Sequence, residues 1–106
     1  MADATLSRRR EARIPIKLFV NLYRPDKQTF EVASTMDISN HGARVTTRAS
    51  WELNESLSVR SIRGNFYSRA RVVHCRRDLT GSFEVGLEMY YPEGNWASAS
   101  KAAAPQ

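Results

Sequence analysis

The chain has 106 residues, room for one domain, and its 42% hydrophobic and 25% charged content is that of a folded water-soluble domain. No apolar run approaches the roughly 20 residues of a membrane-spanning helix. The start, MADATLSRRRE, lacks the apolar core of a secretory signal, and a lone Cys75 cannot form an internal disulfide, so a reducing cytoplasm is the expected home. The net charge of +5 is carried by 13 arginines against 3 lysines, a balance that favours planar, bidentate recognition of phosphate or a guanine edge.

Residues 1–13 are polar, with Leu6 the one large apolar group, and read as an arm carrying Arg8, Arg9, Arg10 and Arg13. From Ile14 the pattern changes. Ile14, Ile16, Leu18, Val20 and Leu22 alternate with other residues at a period of two, predicting a first strand. Tyr23 to Lys27 is a turn built on Pro25 and Asp26. A second strand is expected over Thr29–Met36 and a third over Ala43–Thr47, separated by Asp37-Ile38-Ser39-Asn40-His41-Gly42. Ser50 to Glu55 is a loop whose Trp51 and Leu53 are expected to tuck onto the body. A fourth strand follows over Leu57–Ile62, then a tight turn at Gly64-Asn65 and a fifth strand over Phe66–Arg76. A sixth, Phe83–Met89, alternates cleanly. Six short strands without an intervening amphipathic helix predict an all-β antiparallel barrel or sandwich, and closure into a barrel removes open edges. The expected division is an arm over 1–13, a barrel over 14–91 and a tail over 92–106. Within that tail Asn95 to Ala104 forms either a short helix seeded by Trp96 or a segment without fixed structure.

Enzyme chemistry finds no support. His74 and Cys75 are adjacent in a strand, so their side chains face opposite ways and do not make a nucleophile–base pair. Two histidines and one cysteine spread over strands are a poor start for a metal site, so no metal is expected. No GxSxG, GxxxxGK[ST] or HExxH occurs.

Two segments stand out instead. In Arg8-Arg9-Arg10-Glu11-Ala12-Arg13 several guanidiniums sit on an arm that can close over a ligand's phosphates. In Asp37-Ile38-Ser39-Asn40-His41-Gly42 a carboxylate and a hydroxyl offer hydrogen bonds, and Gly42 allows a positive φ or a close backbone approach. Alone, the first is better read as a solvated basic tail or a non-specific nucleic-acid arm, and the second as an ordinary Asx turn. Together they supply what a guanine nucleotide needs: arginine for phosphate, O6 and N7, and acceptors for N1–H and N2–H2.

RxxxR (Arg9 to Arg13), followed by DxSxxG (Asp37, Ser39, Gly42), resembles the signature of PilZ domains. The likeness continues through Asp37–Val45, Ala70–His74 and Phe83–Met89, and so covers residues 8–91. One departure is Asn54-Glu55, where many relatives have a glycine turn. The resemblance implies a six-stranded antiparallel PilZ-type β-barrel, often with a C-terminal helix, that binds the bacterial second messenger cyclic di-GMP and needs no other cofactor. By position, Arg9 and Arg13 would grip phosphates and guanine edges, Asp37 and Ser39 would hydrogen-bond the guanine, and Gly42 would allow close approach. Arg10 and Ala43 are secondary candidates. Arg8 occupies the place that accompanies binding of two intercalated ligand molecules in this family.

Output is expected in trans, through an effector protein in motility, exopolysaccharide synthesis or adhesion. Two rivals differ in class. One is an adaptor that contacts a protein with weak or no nucleotide binding. The other is a barrel binding single-stranded nucleic acid through Phe19, Tyr23, Phe66, Tyr67, Tyr90 and Tyr91. Most of these aromatics are expected in the core or at strand ends, which makes nucleic acid the weaker reading.

Overall fold

The computed structural model describes residues 12–94. Arg8, Arg9 and Arg10, and the segment from Asn95 expected to be a helix or a tail, lie outside them. The described chain folds as six strands: β1 (Phe19–Arg24), β2 (Thr29–Ile38), β3 (Gly42–Thr47), β4 (Ser56–Ser61), β5 (Tyr67–Arg77) and β6 (Phe83–Glu93). All pairings are antiparallel, and the order β1-β2-β3-β6-β5-β4 closes on itself through the β1–β4 pair. The expected all-β barrel is therefore the observed fold. Alternation drives it, because every second residue turns inward. Val20 and Leu22, Val45, Val59, Ala70 and Val72, and Val85 and Leu87 fill the interior with Phe66.

Because β3 and β4 are not neighbours, the chain between them crosses one end of the barrel, and Trp51 closes that end. Its ring lies 3.8 Å from the guanidinium of Arg24, which also donates from Nη2 to the Ser50 carbonyl at 2.9 Å. Arg24 Nε approaches Glu55 Oε2 at 2.5 Å without hydrogen-bond alignment, so the contact is ionic. Arg24 thus ends β1 as a buried cation rather than a turn residue. Leu53, expected beside Trp51, is 63% exposed instead. Asn54 adopts φ 68° there, a conformation that asparagine tolerates better than most other side chains. Gly64 takes φ 83° in the β4–β5 turn, as its turn role requires.

Three further expectations change. The first strand begins at Phe19 rather than Ile14, because Pro15 has no N–H for a ladder. Thr35 Oγ1 replaces the missing pairing: it accepts from Leu18 N at 2.8 Å and donates to the Ile16 carbonyl at 2.7 Å. The sixth strand runs on to Glu93. Of the six aromatics expected mostly inside or at strand ends, Phe66 is in the core while Phe19, Tyr90 and Tyr91 are exposed.

Of the three register shifts in the described barrel, two set which residues near the site face out. In β2 the register with β3 shifts between Thr35 and Asp37, leaving Met36 as the extra residue. Without the bulge Asp37 would share the inward face of Ala33 and Thr35. With it, Asp37 pairs with outward Arg44, and Ile38 turns into the core opposite Ala43. In β5 a shift between Val72 and His74 places His74 outward and packs Cys75 against the core.

Thr35→Val would leave the buried Leu18 N–H without its acceptor. We expect a loss of about 1–3 kcal/mol, read as a lower urea midpoint at unchanged m-value.

Candidate functional site

The root of the arm is fastened by main chain. Ile14 N donates to the Ile38 carbonyl at 2.8 Å, and Ile38 N donates back to Ile14 at 3.0 Å. This reciprocal pair sets Arg13 beside Asp37, although 24 residues separate them. Arg13 Nη1 donates to Asp37 Oδ1 at 2.9 Å. The other carboxylate oxygen is gripped by Arg44, with Nε at 2.8 Å and Nη2 at 2.5 Å from Oδ2. The remaining nitrogen of Arg44, Nη1, reaches Glu84 Oε2 at 3.1 Å, and Arg76 Nη2 donates to Glu84 Oε1 at 2.9 Å. The result is a chain of alternating charge, Arg13–Asp37–Arg44–Glu84–Arg76, across the outer face of β2, β3, β6 and β5.

Asp37 and Glu84 are buried, whereas their arginine partners are open to solvent. Burial alone raises the Asp37 pKa, but the hydrogen bonds and charges of Arg44 and Arg13 outweigh it and hold the carboxyl below its ordinary value. At Glu84 the Arg76 hydrogen bond is the largest influence, and the net shift is again downward. Arg44 is raised in turn, chiefly by its hydrogen bond to Asp37.

Ser39 and Gly42 close the turn between β2 and β3. Ser39 N donates to the Gly42 carbonyl at 2.8 Å, and the Ser39 hydroxyl lies 3.4 Å from the same oxygen. Gly42 does not use the positive φ that glycine permits. Its need is steric: a Cβ there would stand 3.1 Å from the Leu87 carbonyl on β6 and 3.5 Å from Ser39 Oγ. Ala43 is buried and faces the core, away from the Asp37 surface.

Of the residues picked out in the sequence, Arg13, Asp37, Ser39 and Gly42 lie together. Arg8, Arg9 and Arg10 fall outside the described residues. Arg44, Glu84 and Arg76 were not anticipated. The alternation Ala43-Arg44-Val45 marks Arg44 as outward, but its meeting with Asp37 depends on the β2 bulge. Among the described residues no group of three or more His, Cys, Asp or Glu is placed to hold a metal ion, and no helix is long and apolar enough to cross a membrane.

The described residues thus form a closed six-stranded barrel with Arg13, at the arm root, pinned against the DxSxxG turn. Comparison with protein families matches residues 7–95 to the PilZ domain, and the chain belongs to that family. PilZ domains are in general cyclic di-GMP receptor domains and not enzymes. A search of curated proteins finds no match.

Arg44→Ala should let burial prevail at Asp37 and move its carboxyl pKa upward, read by carboxyl-carbon NMR through an acid titration. For pH, both Asp37 and Glu84 have folded values below their unfolded ones. Their ion-pair stability is therefore complete above the unfolded carboxyl range, about 4, and is lost as pH falls through the lower folded values. Thermal melts of Glu84→Gln should fall below wild type at neutral pH and converge with it near about pH 2. A gap that widens in acid would reverse the sign assigned to Glu84.

Proposed function

We propose that the chain is a cyclic di-GMP receptor that binds through Arg9, Arg13, Asp37, Ser39 and Gly42, and passes the signal in trans to an effector protein. The observation that carries this reading is Arg13 held against Asp37. It brings the last arginine of RxxxR and the first residue of DxSxxG within 2.9 Å, on a surface that has Arg44 in reserve.

The energetics suit exchange. Arg13 is more than half exposed, and ion pairs to exposed arginines are worth about 0–1 kcal/mol. A charge-assisted bond to a ligand phosphate is worth about 1.5–3 kcal/mol. Arg13 can therefore leave Asp37 for a phosphate at little cost, which frees Oδ1 to accept from guanine N1–H or N2–H2. Arg44 stays on Oδ2 and keeps the carboxylate ionised and oriented. Ser39 adds a hydroxyl at the turn, and the bare Cα of Gly42 keeps the approach open. Arg8, next to Arg9, fits two intercalated nucleotides per chain, with Arg10 as a further contact.

Isothermal titration with cyclic di-GMP, beside cyclic di-AMP and GTP, tests the reading. Saturable heat is expected for cyclic di-GMP alone, at a stoichiometry near two. Arg9→Ala and Arg13→Ala should each weaken binding about ten- to a hundredfold and flatten its salt dependence. Asp37→Ala should erode discrimination of guanine from adenine more than salt dependence. Absence of heat with all three nucleotides would leave the protein-adaptor reading in its place.

A further inference from the structure

β1 and β4 stand across the closed barrel from β6 and β3, and their outward chemistry differs from that of the Asp37 face. Cross-strand pairing sets Tyr23 beside Phe30, Asn21 beside both Val32 and Arg60, and Arg60 beside Tyr67. Together Asn21, Tyr23, Phe30, Ser58, Arg60 and Tyr67 line an open groove of about 440 Å³. Exposed apolar side chains flank it: Phe30 is 68% exposed, Val32 63% and Phe19 56%. Isolated exposed hydrophobics are ordinary, but a contiguous set on adjoining strands marks a contact surface.

Two details say what would cover it. The Asn21 side-chain oxygen is out of water and has no hydrogen-bond partner, a state that native structures rarely leave uncompensated. The charge is also one-sided. On the Asp37 face the outward cations Arg13, Arg44, Arg71 and Arg76 are each paired to a carboxylate. Around the groove, the outward positions of β1, of β4 and of β2 as far as Ser34 carry no carboxylate. Arg60 lies 4.9 Å from the Tyr67 ring, and Lys17 lies 5.5 Å from the Phe19 ring. Neither these two nor Arg69, opposite Ser58, has an ion pair among the described residues.

We propose that this face docks an acidic segment of a partner protein anchored by apolar side chains. The anchors seat against Tyr23, Phe30 and Val32, a donor meets Asn21 Oδ1, and carboxylates pair with Arg60, Arg69 and Lys17. A closed barrel offers no free strand edge, so recognition runs through side chains rather than strand addition. Single-stranded nucleic acid fits less well. It needs open ring faces, whereas Arg60 covers Tyr67, and Tyr23 and Phe30 tilt against each other at 4.8 Å. Aliphatic Val32 and Ile62 beside the groove suit apolar side chains better than bases.

The surface does not depend on the nucleotide reading, and its test separates the two. A phage-displayed random peptide library is panned on the full chain, and the enriched peptides are synthesised and titrated. Enrichment of peptides pairing Asp or Glu with large apolar residues is expected. Their affinity should fall at least tenfold with Arg60→Glu and with Phe30→Ser, both at exposed positions and checked for folding by melting, and stay unchanged with Asp37→Ala. Cyclic di-GMP binding should survive Arg60→Glu. No enrichment, enrichment without acidic bias, or peptides indifferent to both groove variants would overturn the proposal. So would tighter binding of a dodecameric oligo-dT that Phe30→Ser removes, or dimerisation in sedimentation that the same substitution abolishes.

Discussion

A carboxylate stays ionised away from water only when donors and cations replace its lost hydration, and the surface of this barrel is arranged around that requirement at Asp37. Its two oxygens are held by different arginines from different parts of the chain, Arg13 at the arm root and Arg44 on β3. Neither contact survives in isolation. Arg13 reaches Asp37 because Ile14 and Ile38 exchange main-chain hydrogen bonds, and that bridge in turn follows Thr35 taking over the pairing of Leu18. Arg44 reaches it because the Met36 bulge turns Asp37 outward and Ile38 inward in one step. A single extra residue thus serves the core and the site together.

The unequal exposure of the arginines gives the arrangement direction. The carboxylates are nearly dry while the guanidiniums touch solvent. Breaking the Asp37 contact to Arg13 costs little so long as Arg44 remains, whereas losing both strands a buried charge, a far larger penalty. Arg44 is itself kept in place by Glu84, and Glu84 by Arg76, so the support extends across four strands to the far side of β6.

Period-two alternation made most of the barrel legible in the sequence: Val20 and Leu22, Ala43 and Val45, and Val85 and Leu87 all point inward as their spacing requires. Turn chemistry marked the β4–β5 connection at Gly64. The spacing of RxxxR and DxSxxG brought Arg13, Asp37, Ser39 and Gly42 to one place. What stayed hidden is what alternation does not encode. Bulges at Met36 and Val73 leave no local compositional mark, so the outward turn of Asp37 and its pairing with Arg44 were not visible. Leu53 and Trp51 look alike in a loop, yet only Trp51 has a cation, Arg24, to stack on at the barrel end. The arm root reads as strand by its apolar period, but Pro15 and the Thr35 hydroxyl end the ladder at Phe19.

The closed topology also shapes how such a small domain can carry more than one contact. With every strand paired on both sides, the main chain is spent on the fold, and all recognition falls to outward side chains. Those side chains are sorted by charge around the circumference. From Arg13 through Asp37, Arg44 and Glu84 to Arg76, cations and carboxylates neutralise one another in a chain. Around the groove Lys17, Arg60 and Arg69 have no ion pair among the described residues and stand near exposed aromatics. Salt screens isolated surface charges over about 10 Å at 0.1 M, so the unpaired cations act at contact range rather than by steering from afar. β2 contributes to both faces, with Phe30 and Val32 at one end and Asp37 at the other.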